Sequence, residues 1–337
     1  MGKSDFVFAT CRAGWESSLK REVAARHGKL LTPAFMRPQL ITWKSQTPLP
    51  AEFELAAAFA PVSGFSIGMA RSAEEVAQCV SEAGLQACEL HVFPRVIAED
   101  GVTPEAWQRM DQIKAAVEQV CPLSPEADNV IDLIIGAEGE PWFVGTHRRS
   151  PAAHPHPGSV PRIILPTEVP SRAWLKMEQS LAWLQLDAPE ALSGKSALEL
   201  GCAPGGAAWA LLQRGMKVIG VDTGAMDDRV LTHPRYDHIG LSAGEVPFDY
   251  LPERVDLLVS DMNLAPDVAL RLMEPFYDRL KPQWLIITMK MNDAGVEAQL
   301  PSLIDRVRSF ATGQVYAKQL HANRREVTVI SRSASRV

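Results

Sequence analysis

The sequence has few cysteines, and no two of them are spaced as a metal-binding or redox pair. It contains five cysteines in 337 residues and no Cys-x-x-Cys motif. A disulfide framework or a structural zinc site is therefore not predicted, and no metal ligands are assigned. No run of about 18 apolar residues occurs, which argues against a membrane span. The first residues also lack the long apolar segment of a signal peptide. We therefore expect a protein of the reducing cytoplasm that does not bind a membrane.

An excess of positive charge is also missing. The chain has 34 Lys and Arg against 40 Asp and Glu, a net charge of −6. This does not exclude nucleic acid as a partner, because a local basic patch is what binds phosphates. Basic residues are enriched towards the end of the chain and around its middle, and we expect them to form such a patch: Arg306, Arg308, Lys318, Arg324, Arg325, Arg332 and Arg336, with Arg148, Arg149, Arg162 and Arg172.

The first part of the chain, residues 1–147, mixes short strand and helix patterns. Apolar spacing and glycine stops indicate helices, whereas runs of apolar and β-branched residues indicate strands. Small α+β units are therefore predicted, without an obvious cluster of catalytic residues. The predicted helices are 14–28, 73–84 and 104–120, and the predicted strands are 5–11, 38–45, 87–96 and two within 129–147.

Residues 148–170 are rich in proline, which is incompatible with a helix and with most strands. This segment is interpreted as a linker between domains. It contains His154 and His156. An i, i+2 histidine pair is able to bind a metal, but nothing nearby supports this, so both are interpreted as solvated linker residues.

After the linker, strands and helices alternate, which is typical of a mostly parallel sheet. The final two strand patterns are separated by only a few polar residues. They are too close for a parallel crossover, so an antiparallel hairpin must end the domain. The predicted helices are about 172–186, 206–214, 267–280 and 296–310, and the predicted strands are 196–201, 216–222, 255–262, 282–290, 314–320 and 326–332.

The stretch "LELGCAPGG" places Gly201, Gly205 and Gly206 between an apolar strand and a helix. Such a loop is typical of the first turn of a nucleotide-binding sheet. The next strand ends in Asp222, whose carboxylate is suited to bond the hydroxyls of an adenosine ribose. Ala203 breaks the Gly-x-Gly-x-x-Gly fingerprint of NAD sites. A tight turn that only packs a helix on a strand remains an alternative.

The identity of the next residue in the loop bears on the ligand. Pro204 lacks an N–H with which to cradle a pyrophosphate. An adenosine ligand without pyrophosphate, such as S-adenosylmethionine, is therefore favoured.

Four charged residues stand at element ends. Asp261 and Lys290 end apolar strands, Lys176 lies in the helix before the glycine loop, and Glu326 opens the last strand. Each residue alone has an ordinary explanation. Asp261 could cap a helix, and Lys290 could extend to the surface. Lys176 could be an exposed helix lysine, and Glu326 a charge at a strand edge.

Taken together and in this order, the four residues resemble the Lys-Asp-Lys-Glu tetrad of FtsJ-like ribose 2′-O-methyltransferases. The segments "SRAWLKMEQ", "LGCAPGG", "SDM" and "REVTV" are similar to blocks of that family. The resemblance implies a Rossmann-like methyltransferase domain that binds S-adenosylmethionine. It implies that Lys290 is the general base and that Asp261, Lys176 and Glu326 complete the tetrad. The cofactor site implied by the loop and the resemblance consists of Ser171, Gly201, Ala203, Pro204, Gly205, Gly206, Asp222 and Asp261.

A general base must be able to lose its proton. Burial and the nearby Lys176 are expected to lower the pKa of Lys290, while Asp261 opposes that shift. Lys176 is expected to supply the cation, and Glu326 to orient the pair.

The resemblance extends to further segments of a bacterial family that methylates the 2′-hydroxyl of a cytidine in large-subunit (23S) ribosomal RNA. The segments "CRAGWESSLKREV", "APVSGFSIGMA" and "VPRIILPTEVPSRAWLKMEQ" carry it. It implies a ferredoxin-like unit at 1–70, a THUMP-like RNA-binding unit at 71–147 and a methyltransferase domain at 171–337. In the absence of a heptad pattern, a monomer is expected.

The sequence departs from the family pattern at two places. The order Cys202-Ala203 is reversed in the loop, and Ser242 stands where the family has an acid near the adenine. Other interpretations remain open: a methyltransferase acting on another RNA, a protein or a small molecule, an NAD-linked oxidoreductase, or a non-catalytic RNA-binding factor. The oxidoreductase would need a Tyr/Lys or His/Asp proton relay, which is not evident.

Overall fold

The computed structural model describes residues 5–99 and 101–333. The chain forms two compact units, Met1–Pro161 and Arg162–Val337. Their boundary falls inside the predicted linker, which contains only a single turn of 3-10 helix, Pro157–Ser159, before that boundary. Among the described residues, no helix is long and apolar enough to cross a membrane.

The first unit contains one seven-stranded sheet with the order β2-β3-β1-β4-β7-β6-β5. Only the pairing of β5 with β6 is parallel; the other neighbours are antiparallel. The strands are β1 (Phe6–Thr10), β2 (Leu31–Arg37), β3 (Leu40–Ser45), β4 (Ser63–Ala70), β5 (Ala87–Pro94), β6 (Asn129–Ile135) and β7 (Trp142–Arg148), and the helices are α1 (Glu16–His27), α2 (Ala73–Glu82) and α3 (Pro104–Val120).

Helices α2 and α3 begin at side-chain caps that the sequence supplies. The Ser72 hydroxyl accepts the Glu75 N–H at the start of α2, and Thr103 does the same for Ala106 at the start of α3. Such caps satisfy backbone donors that lack a partner within the helix. The predicted helices 73–84 and 104–120 are accordingly confirmed to within two residues.

The sequence did not predict β2 and β4. Only the first residue of β2 is buried, so its pattern carries no alternation. Strand β4 contains Gly64 and Gly68, which are uncommon in strands. At Gly64 a side chain would collide with the backbone of Thr146 in β7, so the glycine allows the two strands to approach. Through β4 the sheet runs across both predicted N-terminal units, and their division at residue 70 remains a prediction.

His154 is not solvated, contrary to the expectation for the linker. It is buried, and its ring lies 5.4 Å from the ring of His156. The hydroxyl of Ser159 donates to the carbonyl of Pro61 at 2.8 Å. This part of the proline-rich segment therefore packs against the first unit.

The second unit is a seven-stranded sheet with the order β10-β9-β8-β11-β12-β14-β13. The first five strands are parallel, and β14 runs antiparallel to both of its neighbours, as predicted. The strands are β8 (Ser196–Leu200), β9 (Lys217–Val221), β10 (Tyr236–Ile239), β11 (Leu257–Ser260), β12 (Trp284–Lys290), β13 (Gln314–Lys318) and β14 (Glu326–Arg332), and the helices are α4 (Ala173–Trp183), α5 (Gly206–Gln213), α6 (Asp228–Leu231), α7 (Pro266–Leu280) and α8 (Ala294–Phe310).

Strands β8, β11 and β12 occupy the centre of this sheet and are buried almost throughout. Continuous apolar sequence in parallel strands is expected when helices cover both faces. Helix α4 packs against α5, and Leu181 and Leu211 are fully buried there. The carboxyl ends of the parallel strands meet at one edge, which is where ligands of such sheets bind.

Candidate active site

The four charged side chains at the element ends form one ion-pair network. The Lys290 ammonium donates to Asp261 Oδ1 at 2.9 Å and to Glu326 Oε1 at 2.7 Å. The Lys176 ammonium donates to Asp261 Oδ2 at 2.8 Å and to Glu326 Oε1 at 3.1 Å. All four side chains are only 13–15% exposed. Each carboxylate thus bridges the two lysines, and the charges cancel within a largely desolvated site.

The fold explains how residues so far apart in sequence meet. Asp261 follows the last residue of β11, and Lys290 is the last residue of its parallel neighbour β12. Glu326 is the first residue of β14, and its Cα is paired directly with that of Lys290. The reversal of β14 therefore brings its first residue to the carboxyl edge. Lys176 reaches the same point from the start of α4.

The network shifts the pKa values of two of its members, Lys290 and Glu326. Burial disfavours the charged form of Lys290, but Asp261 and Glu326 outweigh it, so the pKa of Lys290 is raised. Burial likewise opposes ionisation of Glu326, but the lysines, Lys176 foremost, hold its pKa below the usual range. The balance expected for Lys290 from the sequence is thus reversed, because Glu326 as well as Asp261 accepts a hydrogen bond from its ammonium.

The glycine loop runs from the end of β8 into α5. Gly201 has φ +81°, and a Cβ there would lie 2.8 Å from the Cα of Met262. At Gly206 a side chain would collide with the hydroxyl of Ser171, which accepts the Ala173 N–H. Both glycines are therefore required by close packing of the protein itself. The alternative of a tight turn that packs a helix on a strand is therefore correct for these two glycines.

Asp222 fixes the other side of the loop. Its Oδ2 accepts the Ala203 N–H at 3.0 Å, and its Oδ1 accepts the Gly224 N–H at 2.7 Å. The peptide bond from Ala203 to Pro204 is cis. A carboxylate accepts about four hydrogen bonds, so Asp222 retains acceptor capacity for two ribose hydroxyls. The residues at this edge therefore fit the adenosine part of S-adenosylmethionine.

Sequence reasoning missed Glu199, although it lies within the opening strand of the loop. It is fully buried on β8, and its Oε2 has no hydrogen-bond partner among the residues that the structure describes. Burial, with the nearby Asp261 and Asp222, raises its pKa well above the ordinary value. This direction favours the neutral form of the Glu199 side chain over a third charged carboxylate near Asp261 and Asp222. Its position in an apolar strand resembled that of a core residue.

Two expectations from the sequence concerned residues at the edge of the site: Ser242 near the adenine, and basic residues that bind phosphates. Ser242 donates its hydroxyl to Glu245 at 2.6 Å, so an acid does lie next to it, three residues later in the chain. Arg324 and Arg325 are exposed and directly precede Glu326. The Arg325 guanidinium donates to the carbonyl of Asn292 at 2.7 Å.

The expected basic patch is weakened on α8. Arg306 is paired with Glu274 and Asp267, and Arg308 is paired with Asp305. These acids neutralise the two arginines, which therefore contribute little field for phosphates. Arg336 lies outside the described residues.

Comparisons with known proteins agree with this architecture. Residues 169–336 match the family model of the FtsJ-like methyltransferases. Ribosomal RNA large subunit methyltransferase M of Azoarcus sp. strain BH72 is 30% identical over 257 residues, which cover 70% of this chain and 68% of that protein. The enzymes of the same name from Halorhodospira halophila and Azotobacter vinelandii are 31% and 32% identical, and the matches cover 52% and 51% of this chain. Those two matches span about half the length of each relative.

A solved structure also matches along most of the chain. The match with TrmN from Thermus thermophilus covers 97% of this chain and 99% of that chain, at 15% identity and a TM-score of 0.32.

Fold and site together define a Rossmann-like methyltransferase domain that uses S-adenosylmethionine. More narrowly, the chain belongs to the FtsJ-like methyltransferases and, among them, to the family of ribosomal RNA large subunit methyltransferase M.

Proposed function

We propose that this chain methylates the 2′-hydroxyl of a ribose in large-subunit (23S) ribosomal RNA, at a cytidine. The observation that carries the proposal is the network of two lysines and two carboxylates beside the glycine loop, at the carboxyl edge of the sheet. The names of its relatives support the choice of ribosomal RNA as substrate. The exposed Arg324 and Arg325, next to Glu326, are suited to hold RNA phosphates at this edge.

In this proposal Lys290 removes the proton of the attacking hydroxyl. When bound, S-adenosylmethionine supplies an electrophilic methyl group. The neutral Lys290 amine has two N–H groups, and both find acceptors in Asp261 and Glu326. Its lone pair is then directed away from the carboxylates and is available for the hydroxyl proton. Lys176 holds the two carboxylates in place through its own contacts, and it favours the charged form of Glu326.

Other residues of the second unit would bind the cofactor, and the first unit would bind RNA. Asp222, Ala203 and Gly205 would hold the adenosine, with Ser171 buttressing Gly206 at the start of α5. We assign RNA binding to the first unit, as a ferredoxin-like and a THUMP-like part, in a monomeric protein. In-line alignment of hydroxyl and methyl group supplies the rest of the rate.

The direct test uses a strain that lacks the gene. Ribosomal RNA from this strain should lose one 2′-O-methyl group, mapped by resistance to alkaline cleavage. The group should return with the parent gene and not with a Lys290→Ala gene. A methylation map identical to that of the parent strain would refute the assignment of ribosomal RNA as the substrate.

The raised pKa of Lys290 predicts a rate that increases with pH. Below that pKa, the fraction of neutral amine grows tenfold for each pH unit, so log kcat should rise with a slope near one. Single-turnover transfer of a tritiated methyl group measures this on RNA that lacks the modification. The residual activity of Lys290→Ala should lack this slope. A flat profile for the parent enzyme would exclude Lys290 as the base.

Asp222→Ala should weaken binding of S-adenosylmethionine about 10- to 100-fold, because charge-assisted hydrogen bonds contribute roughly 1.5–3 kcal/mol. Isothermal titration calorimetry measures this loss. Asp237→Ala is the matched control, since Asp237 is an exposed carboxylate on the adjacent β10. Equal affinity of the Asp222→Ala variant and the control would exclude Asp222 from the adenosine site.

A further inference from the structure

A cluster of two histidines and a carboxylate lies inside the first unit. His91, Asp132 and His147 place potential ligand atoms within 4.8 Å of one another. His147 Nδ1 lies 2.5 Å from Asp132 Oδ2, and His91 Nδ1 lies 3.9 Å from Asp132 Oδ1. Because these residues belong to the first unit, the methyl-transfer proposal does not use them.

Strand register places the three side chains on one face of the sheet. His91 on β5 is paired with Asp132 on the parallel β6. His147 on β7 is paired with Val130, two residues before Asp132 and on the same face of β6. The ligand set is thus built from three adjacent strands and is held by backbone pairing.

The carboxylate of Asp132 is fully buried, with 0% of its side chain exposed. A Cβ at Gly145, the residue paired with Asp132, would collide with the ring of Phe8, so an aromatic ring fills the adjoining space. Within the described part of the chain, Asp132 Oδ1 has no hydrogen-bond partner. Buried carboxylates are normally paired or bound to a metal, so this oxygen lacks the partner that its burial demands.

Glu89 lies next to the His91 ring nitrogen that faces away from Asp132. Its Oε1 lies 3.3 Å from His91 Nε2, and its Oε2 lies 3.6 Å from Arg149 Nη2. Metal-bound histidines usually donate their second ring N–H to a carboxylate, which fixes the tautomer that leaves the other nitrogen free. Among the described residues His91 Nε2 has no hydrogen-bond partner, and Glu89 Oε1, 3.3 Å away, is the carboxylate oxygen beside it. The other ring nitrogen, Nδ1, lies on the side of Asp132.

We infer that His91, Asp132 and His147 bind a divalent transition-metal ion, with zinc the best match, and that the ion ties β5, β6 and β7 together. Two imidazole nitrogens and one carboxylate favour zinc over magnesium or calcium, which prefer oxygen ligands. Tetrahedral zinc holds its ligand atoms about 3.3–3.5 Å apart, and the two histidine contacts of Asp132, at 2.5 and 3.9 Å, lie on either side of that spacing. A water molecule completes the coordination.

Cysteine and histidine spacing in the sequence does not reveal this site, because its ligands come from three separate strands. The prediction of no metal ligands rested on that spacing alone. The strand register within the folded sheet brings the three side chains together.

The test titrates the untagged, full-length, chelator-treated protein with zinc chloride alone, by calorimetry. One zinc ion per chain should bind. Cobalt chloride should give a visible absorption band of low-symmetry coordination. His91→Asn and His147→Asn should each abolish both signals, while circular dichroism confirms that the variants are folded. Glu89→Gln, at a side chain that is 38% exposed, should keep the fold and lower the affinity roughly 10- to 100-fold.

His156→Asn is the matched control, since it removes a histidine from the other pair in this unit. Its zinc affinity should equal that of the parent protein. Failure of the parent to bind zinc, or loss of binding in His156→Asn with retention in His147→Asn, would overturn the inference. Methyl transfer is measured separately, so either result leaves the proposed function to its own tests.

Discussion

Lys290→Ala should reduce kcat for methyl transfer about 10²- to 10⁴-fold, the range that a positioned general base contributes. The Lys290 amine is positioned by two hydrogen bonds, to Asp261 Oδ1 at 2.9 Å and to Glu326 Oε1 at 2.7 Å. Alanine removes the base, while Lys176 still neutralises part of the two carboxylates. The glycine loop and Asp222 are unchanged, so binding of S-adenosylmethionine should remain measurable by calorimetry.

A matched control separates loss of the base from loss of a positive charge. Lys217 is an exposed lysine at the first residue of β9, at the end of that strand opposite the site. Lys217→Ala should therefore retain the parent rate. Activity near the parent level in Lys290→Ala would contradict the role of this amine. Parallel loss of cofactor binding in Lys290→Ala would instead identify it as a structural residue.

Glu178→Ala should lower the free energy of unfolding of the second unit by about 3–5 kcal/mol, the usual cost of leaving one charge of a buried pair alone. Glu178 lies on α4, and its carboxylate is paired with both terminal nitrogens of Arg214. The two side chains are only 6% and 15% exposed. Urea unfolding followed by tryptophan fluorescence measures the loss. Because α4 also carries Lys176, the rate should fall as the helix loosens.

The pair of Glu274 and Arg306 provides the control. It has the same chemistry, but its side chains are 31% and 26% exposed. Glu274→Ala should therefore cost only about 1 kcal/mol or less, since water screens the remaining charge. Similar losses in the two variants would show that burial does not set the strength of these pairs.

Much of the second unit could be predicted from local sequence. Apolar runs and glycine stops located β8, α5, β9 and β12 to within two residues, because continuous apolar strands and helix caps are local patterns. The antiparallel β14 followed from a short connection, which excludes a crossover. In the first unit β2 escaped prediction, since a strand with a single buried residue has no periodic signal.

At the active site, too, the sequence determined some properties and the tertiary structure determined others. The sequence alone determined which residue types stand at the strand ends, among them Asp222, Asp261 and Lys290. The resemblance to a family then assigned these residues to one catalytic and cofactor-binding site. Only the tertiary structure decided the direction in which the pKa of Lys290 is shifted. Charges act through space, so the pKa of Lys290 depends on Glu326, which is 36 residues away in the chain and 2.7 Å away in the fold.

For the same reason the sequence did not indicate Glu199 or the cluster around Asp132. A buried acid within an apolar strand has no local signature, and the partners of Asp132 come from neighbouring strands. Composition and spacing determine many of the helices and strands of this protein, although not β2 and β4. Strand register and burial determine which charged groups meet, because both arise only when the sheets have formed.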